Sequence, residues 1–432
     1  MADLRPFRGI KYDLKKVKLD GVVSQPYDKI TDSMREDYYA KDEHNIVRII
    51  KGRPEPSDSK EDNVYTRAKS HFDMWLKEGI LNRDEEPAYY VYHQQFEAPG
   101  LGKRTRKGFI CTIKLTPFEA GVVLPHEKTL SKPKEDRLNL VRATKANFGQ
   151  IFMLYPDTHN EIYGLLDPFA KGPAEMEALE EGGVKHRVWT VEDAAVIDSV
   201  CEAMRDKVLF IADGHHRYET ALDYMEEMKS RDPSHTGDEP YNYRMVTLVG
   251  MEDPGLVILP THRLIHSLKG FNLDVLMKRA EEYFEIRTTN GLASTLEEMK
   301  KPTDGHAFGA CAAGRFYVLV SKPNSGWERL LPKDRSGDWR SLDVVVLHQV
   351  MIQELLGISE EKVISQENIS YLRDPKEGIE AVDSGDAQLL VLVNPTRISQ
   401  VKAVASRREK MPQKSTDFFP KLITGLVMNP LT

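Results

Sequence analysis

Two rhythms of apolar residues alternate along this chain. Val64, Ala68, Phe72 and Leu76 recur at helical spacing and predict a helix over residues 63–78, after a shorter one over 33–39. Residues 88–96 (AYYVYHQQF) and 106–115 (RKGFICTIKL) read as strands, joined by a Gly- and Pro-containing hairpin loop over 99–105. Further strands are predicted at IFMLY (151–155), VLFIA (208–212), MVTLVGM and VILPTHRLI, with a polar loop over 230–243 among them. Beyond residue 269 come helices over 274–284, 343–356 and ISQVKAVAS, and strands at RFYVLVS (315–321) and QLLVLVNP. Gly357 stands in the usual helix-stop position. Strands interleaved with helices predict an α/β or α+β layered fold. The elements group into an N-terminal α/β region (1–115), a core (116–268) and a C-terminal α/β region (269–432), in keeping with a chain of 432 residues.

Charge and cysteine usage narrow the function classes. A net charge of −7 argues against a dedicated duplex-DNA binder. Cys111, Cys201 and Cys311 lie about a hundred residues apart with no CxxC pair, so neither a cysteine zinc site nor a disulfide framework is expected. A reducing, cytoplasmic setting fits that usage. The N-terminus is charged from the start, unlike a signal peptide, and no apolar run approaches bilayer length. No nucleic-acid or membrane partner is therefore expected.

The chemistry concentrates in VLFIADGHHRYETA, residues 208–221. Val208 to Ile211 form a continuous apolar run, Asp213-Gly214 marks a tight turn, and Tyr218, Ala221, Leu222, Met225 and Met228 continue at helical spacing. His215, His216 and Arg217 then fall at a helix N-terminus, where backbone N–H groups and the helix dipole favour anions. Arg217 adds a planar fork suited to phosphate oxygens, and the histidines exchange protons near neutrality. Asp213 is placed to orient a histidine or hold a metal ion. The plainer alternative is a helix start with surface histidines, but turn chemistry alone needs neither two histidines nor an arginine.

This motif resembles the phosphate-binding turn of the ParB/sulfiredoxin superfamily, in the form found in archaeal free serine kinases. Sulfiredoxins carry a reactive Cys at the position of His215, so the resemblance does not imply thiol chemistry. Partition proteins of the superfamily carry a Gly-Glu-Arg-Arg form and a DNA-binding helical domain, neither of which is evident here. The resemblance implies that Gly214, His216 and Arg217 bind nucleotide phosphates, with Asp213 and His215 beside the reacting phosphoryl group and Asp213 supporting Mg²⁺ or a histidine. Upstream, LPHEKTLSKPKEDRLNL is similar to the Pro-His-Glu segment of the same kinases, in which the Glu is the base. Carried over, Glu127 takes the acceptor proton, His126 and Arg137 join the phosphate ligands, and Lys128 and Lys132 are further cations. A solvated charged loop is the alternative for that run.

The chain also resembles, nearly end to end, a widespread bacterial and archaeal family catalogued as a conserved domain of unknown function. The matching pieces are RPFRGIKYD, QPYDKI, PHEKT, ATKAN, GHHRYE, LPTHRL, LHQVMIQELLGI and MPQKSTDFFPK. Together the resemblances imply a ParB/sulfiredoxin-like nucleotide-binding core. The implied activity is transfer of a phosphoryl group from ATP or ADP, with Mg²⁺, to a small hydroxyl-bearing substrate, free L-serine, giving O-phosphoserine. A ParB-like nucleotide switch and a nucleotide hydrolase are the alternatives.

Lys414, Ser415 and Thr416 in MPQKST combine a cation with two hydroxyls, as phosphate sites do, with Lys421 nearby; an exposed polar tail is the other reading. No GxxxxGK[ST] loop occurs, and Leu130 breaks any HExxH zinc motif after His126-Glu127. Pro26-Tyr27-Asp28 reads as a substrate contact or a plain turn, Thr261-His262-Arg263 as a structural pair or else an added cation, and His348 as core.

Overall fold

A computed structural model describes residues 1–127, 131–301 and 305–432, without the side chains of 131–133. The chain forms two compact units. One comprises Met1–Pro125, Thr129–Val257 and Phe418–Thr432; the other comprises His126–Lys128 and Ile258–Asp417. The architecture is mixed α/β, as the alternation of rhythms predicts.

In the first unit a mixed sheet runs in the order Val123–Leu124, Leu209–Asp213, Ile151–Tyr155, Tyr243–Gly250, Gly102–Lys114, Tyr89–Ala98, Lys185–Val191, Met176–Leu179. Leu4–Arg5 pairs with Gly102–Lys114 off that path. Leu209–Asp213 runs parallel to Val123–Leu124 and antiparallel to Ile151–Tyr155, which is parallel to Tyr243–Gly250. Strands from the regions 1–115 and 116–268 therefore share one sheet. The central strands are apolar on both faces because both are covered: Ile151–Tyr155 is buried at every position. Phe109, Cys111, Met153, Ile211, Tyr218 and Leu248 belong to its core.

Several elements sit where their patterns place them. The helix expected over 63–78 is Val64–Lys77, started by a capping box between Asn63 and Thr66. The run after His126-Glu127, for which a solvated charged loop is the alternative reading, forms a helix over Ser131–Thr144. Its charges are paired across to the helix His215–Arg231, Lys134 with Glu219 and Arg142 with Glu227, and Leu140 is buried. Tertiary pairing thus stabilises a segment whose own apolar stripe is thin.

The returning segment Phe418–Thr432 is tied to this unit by Arg106, a fully buried guanidinium on Gly102–Lys114. Its Nη2 donates to the Pro420 carbonyl (2.6 Å) and its Nη1 to that of Phe419 (3.3 Å), while Gln94 Oε1 accepts from Nε at 3.0 Å. Gln94 Nε2 in turn donates to the Lys421 carbonyl at 2.9 Å. Asn429–Pro430 pairs with Ala146–Asn147.

The second unit is built on a sheet ordered Phe284–Thr289, Arg315–Ser321, Ala307–Ala312, Leu389–Leu392, His262–Ile265, Ile369–Leu372, with every neighbouring pair antiparallel. The helix expected over 274–284 is shorter, Leu273–Ala280, and Phe284 already begins a strand. The single regular helix expected over 343–356 is α-helical at Asp343–Val346 and π-helical at Leu347–Leu355. The expected apolar stripe Leu347, Val350, Met351 and Leu355 is buried, as is His348. Gly357 takes the left-handed conformation (φ 68°) that a helix stop requires.

Removing Arg106 should release the returning segment. Arg106→Ala is expected to lower unfolding stability by about 3–5 kcal/mol, because it leaves two carbonyls and Gln94 without their buried donor. Urea denaturation at pH 7 measures this; a loss under 1 kcal/mol would show that the segment is held by other contacts.

Candidate functional site

The site is assembled at the end of Leu209–Asp213. The ladder to Ile151–Tyr155 is irregular between Ile211 and Asp213. The next residue, Gly214, takes φ 98° and ψ 27°, and the helix His215–Arg231 begins without a side-chain cap. Glycine is needed here twice over. Its left-handed backbone disfavours a side chain, and a Cβ would lie 2.9 Å from Arg217 Nε. The first turn of any helix carries N–H groups that have no partner inside the helix. Tyr218, in the second turn, anchors the helix by exchanging hydrogen bonds between its hydroxyl and the backbone of Thr116.

Asp213 sits between two cations. Its Oδ2 accepts from Arg217 Nη2 at 2.7 Å and its Oδ1 from Lys421 Nζ at 3.3 Å. Burial alone would raise the Asp213 pKa, but the charges of Lys421 and Arg217 outweigh it and hold the carboxyl well below its ordinary range. Arg217 Nη1 donates to the Gln150 carbonyl at 2.5 Å, so the guanidinium is fixed at both ends. Lys421, placed by the sequence reading beside 414–416, instead belongs with Asp213.

His215 is buried and His216 half-buried. Burial, and then the charge of Lys134, lower the His216 pKa, with Asp28 pulling the other way. At pH 7 His216 is therefore a neutral ring with one N–H donor and one acceptor. Tyr27 and Asp28 also reach this neighbourhood. Burial raises the Tyr27 pKa against the charges of Arg137 and Arg217, and Arg137 lies over the Tyr27 ring at 4.0 Å. Arg137 also binds Asp136 and donates to the Ile50 carbonyl at 2.9 Å. The structure thus brings Asp213, Gly214, Arg217 and Arg137 into one neighbourhood and adds Lys421, Tyr27 and Asp28.

His126, Glu127 and residues 414–416 belong to the second unit. His126 is fully buried, with its Nε2 2.9 Å from Thr416 Oγ1, and its carbonyl accepts from Met411 N at 2.7 Å. Ser415 Oγ donates to the Pro412 carbonyl at 2.5 Å, and the Lys414 carbonyl accepts from Arg263 Nη2 at 3.1 Å. These bonds make 411–416 an internal turn rather than a polar tail, and use the Ser415 and Thr416 hydroxyls inside the unit. Glu127 is half-buried. Lys128 and the side chain of Lys132 lie outside the described residues. His262 and Arg263 are both buried, as a structural pair would be.

A magnesium ion needs hard oxygen donors. Asp213, the expected ligand, has both oxygens engaged by cations. Among the described residues no group of three His, Cys, Asp or Glu comes together. The described residues do not fit a dedicated metal site.

Residues 4–345 match the family model described as "Protein of unknown function (DUF1015)". The chain belongs to the DUF1015 family. No curated protein matches this DUF1015 chain. Among solved structures it is similar to a conserved hypothetical protein from Pyrococcus furiosus, with 11% identity over 69% of this chain and 87% of that one, at a TM-score of 0.33. It is similar to a free serine kinase variant in complex with ADP, with 10% identity over 69% and 84% of the two chains and a TM-score of 0.35. It is also similar to C-terminally truncated SbnI from Staphylococcus aureus, with 10% identity over 74% and 87% and a TM-score of 0.33. No helix among the described residues of this DUF1015 member is long and apolar enough to cross a membrane.

The low Asp213 pKa has a signed consequence. A carboxylate whose folded pKa is depressed adds stability that is present above its unfolded value, about 3.9, and lost as pH falls through the folded value. Asp213→Asn should therefore be less stable than the parent by the same margin at pH 7 and pH 5, with the margin closing below about pH 4. Urea midpoints at pH 7, 5 and 3 test this; a margin unchanged at pH 3 would assign the loss to something other than the charge.

Proposed function

We propose that this chain is a nucleotide-dependent phosphotransferase that phosphorylates a small hydroxyl-bearing substrate, free L-serine. The observation that carries the reading is the left-handed Gly214 between a buried strand and the 17-residue helix His215–Arg231, with Arg217 and Lys421 locked beside it by Asp213. In this reading the terminal phosphates of ATP or ADP sit at the helix start. The backbone N–H groups, the helix dipole, Arg217 and Lys421 balance their charge, and the neutral His216 donates one hydrogen bond. Asp213 keeps the two cations in place before the nucleotide arrives, so little reorganisation accompanies binding. His215 stands beside the reacting phosphoryl group.

Transfer forms one bond from the acceptor oxygen to phosphorus and breaks the bond to the bridging oxygen, which leaves with the electron pair on the nucleotide. The acceptor proton goes to a base. In this reading Glu127 is that base, on the resemblance of Pro125-His126-Glu127 to the Pro-His-Glu segment of free serine kinases. Positioned charge supplies most of the rate in such reactions, because the protein has little covalent chemistry to perform.

Incubation with ATP or ADP, Mg²⁺ and L-serine is expected to yield O-phosphoserine, read by phosphorus NMR. Nucleotide binding without phosphoserine from either donor would sink the serine assignment. Hydrolysis independent of any acceptor would turn the reading to a nucleotide hydrolase or switch. Arg217→Gln should weaken nucleotide binding at least tenfold, consistent with about 1.5–3 kcal/mol for a charged hydrogen bond. Glu127→Gln should abolish turnover with nucleotide affinity unchanged; retained turnover would remove Glu127 from the base role.

A further inference from the structure

The strand Tyr243–Gly250 carries an arginine in a run that is otherwise apolar or small, and the residue is not at the surface. Arg244 is 6% exposed. Its Nη2 donates to the Gly149 carbonyl at 2.6 Å, and its Nε is buried with no hydrogen-bond partner. Among the described residues no carboxylate pairs with it. The charge that acts on it is that of Arg217, which is repulsive. The two guanidiniums hold consecutive carbonyls, Arg244 that of Gly149 and Arg217 that of Gln150. Burial, then Arg217, pull the Arg244 pKa down to about 9, which leaves it charged at neutral pH.

Arg244 and Arg217 both line a cavity of about 60 Å³ in the first unit. Thr220 lines it too, and its Oγ1 is likewise buried without a partner. Much of the remaining wall is apolar, including Leu140, Phe148 and Ala221. One water needs about 10–15 Å³ by this measure, so the space suits a few waters or one phosphate or carboxylate group, and is too small for a nucleotide. Arg217 has Asp213 beside it, whereas among the described residues Arg244 has no such partner, so its charge is left without a counter-charge. A buried cation without a counter-charge is costly, and apolar walls strengthen its pull on an anion.

We infer that this cavity is a binding site for a small oxyanion, gripped by Arg244 and Arg217 and by the Thr220 hydroxyl. Arg244 lies outside the Asp-Gly-His-His-Arg motif, and the site does not require that a nucleotide bind at the helix start. The oxyanion is either an inorganic phosphate-type anion or the carboxylate of an amino acid, and the two sources are separable by experiment.

The full chain is titrated with inorganic phosphate in one arm and with L-serine and acetate in the other, following thermal unfolding and calorimetry, without nucleotide. Stabilisation in the phosphate arm alone identifies a tetrahedral anion, and stabilisation in the carboxylate arm alone identifies a carboxylate. Arg244→Met is expected to weaken the effective anion at least tenfold while leaving the anion-free protein as stable or more so, because it removes an unpaired buried charge. Thr220→Val, which removes one hydroxyl at nearly constant volume, should weaken the anion several-fold; it keeps the test open if Arg244→Met does not fold. The inference is overturned if no anion stabilises the parent, or if anions stabilise parent and variants equally, which would place them at the helix start. Nucleotide affinity is measured on the same variants: its absence in the parent would sink the phosphotransferase reading and leave this site standing.

Discussion

Asp213 is the point on which the candidate site turns. Two positive side chains from distant parts of the sequence, Arg217 one helical turn along and Lys421 near the chain's end, meet on its two oxygens. Without that carboxylate they would repel each other and Arg244, and the helix start would lose its fixed geometry. Burial makes the arrangement stringent. In a low-dielectric setting a missing partner costs far more than the same loss at the surface, so the strand, the glycine turn and the returning segment are bound to one another through charge.

The local features were legible in sequence. A continuous apolar run, a glycine and a helical stripe specify strand, turn and helix with no information from elsewhere, and the chain builds them at 209–231. The helix over Val64–Lys77 was equally local, read from its apolar spacing. What was not legible depends on contacts between remote residues. Ser131–Thr144 looks like a charged loop because its charges are paired only once the helix beside it is present. Lys421 looked like a neighbour of Lys414, and contacts from remote residues, Arg106 to Phe419 and Pro420 and Gln94 to Lys421 itself, hold the segment that carries it to Asp213. Arg244 carried a signal that periodicity alone passes over: an arginine within a strand that is otherwise apolar or small asks what neutralises it.

The second unit teaches a related lesson. The Lys-Ser-Thr run has the composition of a phosphate loop, but composition does not say where hydroxyls point. Here Ser415 closes a turn on Pro412, and Thr416 meets the buried ring of His126. A buried imidazole needs a partner for each nitrogen it hides, and a threonine nearly three hundred residues away supplies one.

The residues of the first unit's charge cluster come from both sides of a long insertion, since 258–417 separates Val257 from Phe418 in the chain. During synthesis the Gly214 turn leaves the ribosome some two hundred residues before Lys421 does. Asp213 and Arg217 must wait for their third partner until the whole insertion has been made. Assembly order thereby ties the triad to the insertion: a nascent chain that stalls anywhere within it displays the glycine turn but cannot finish the ion triad.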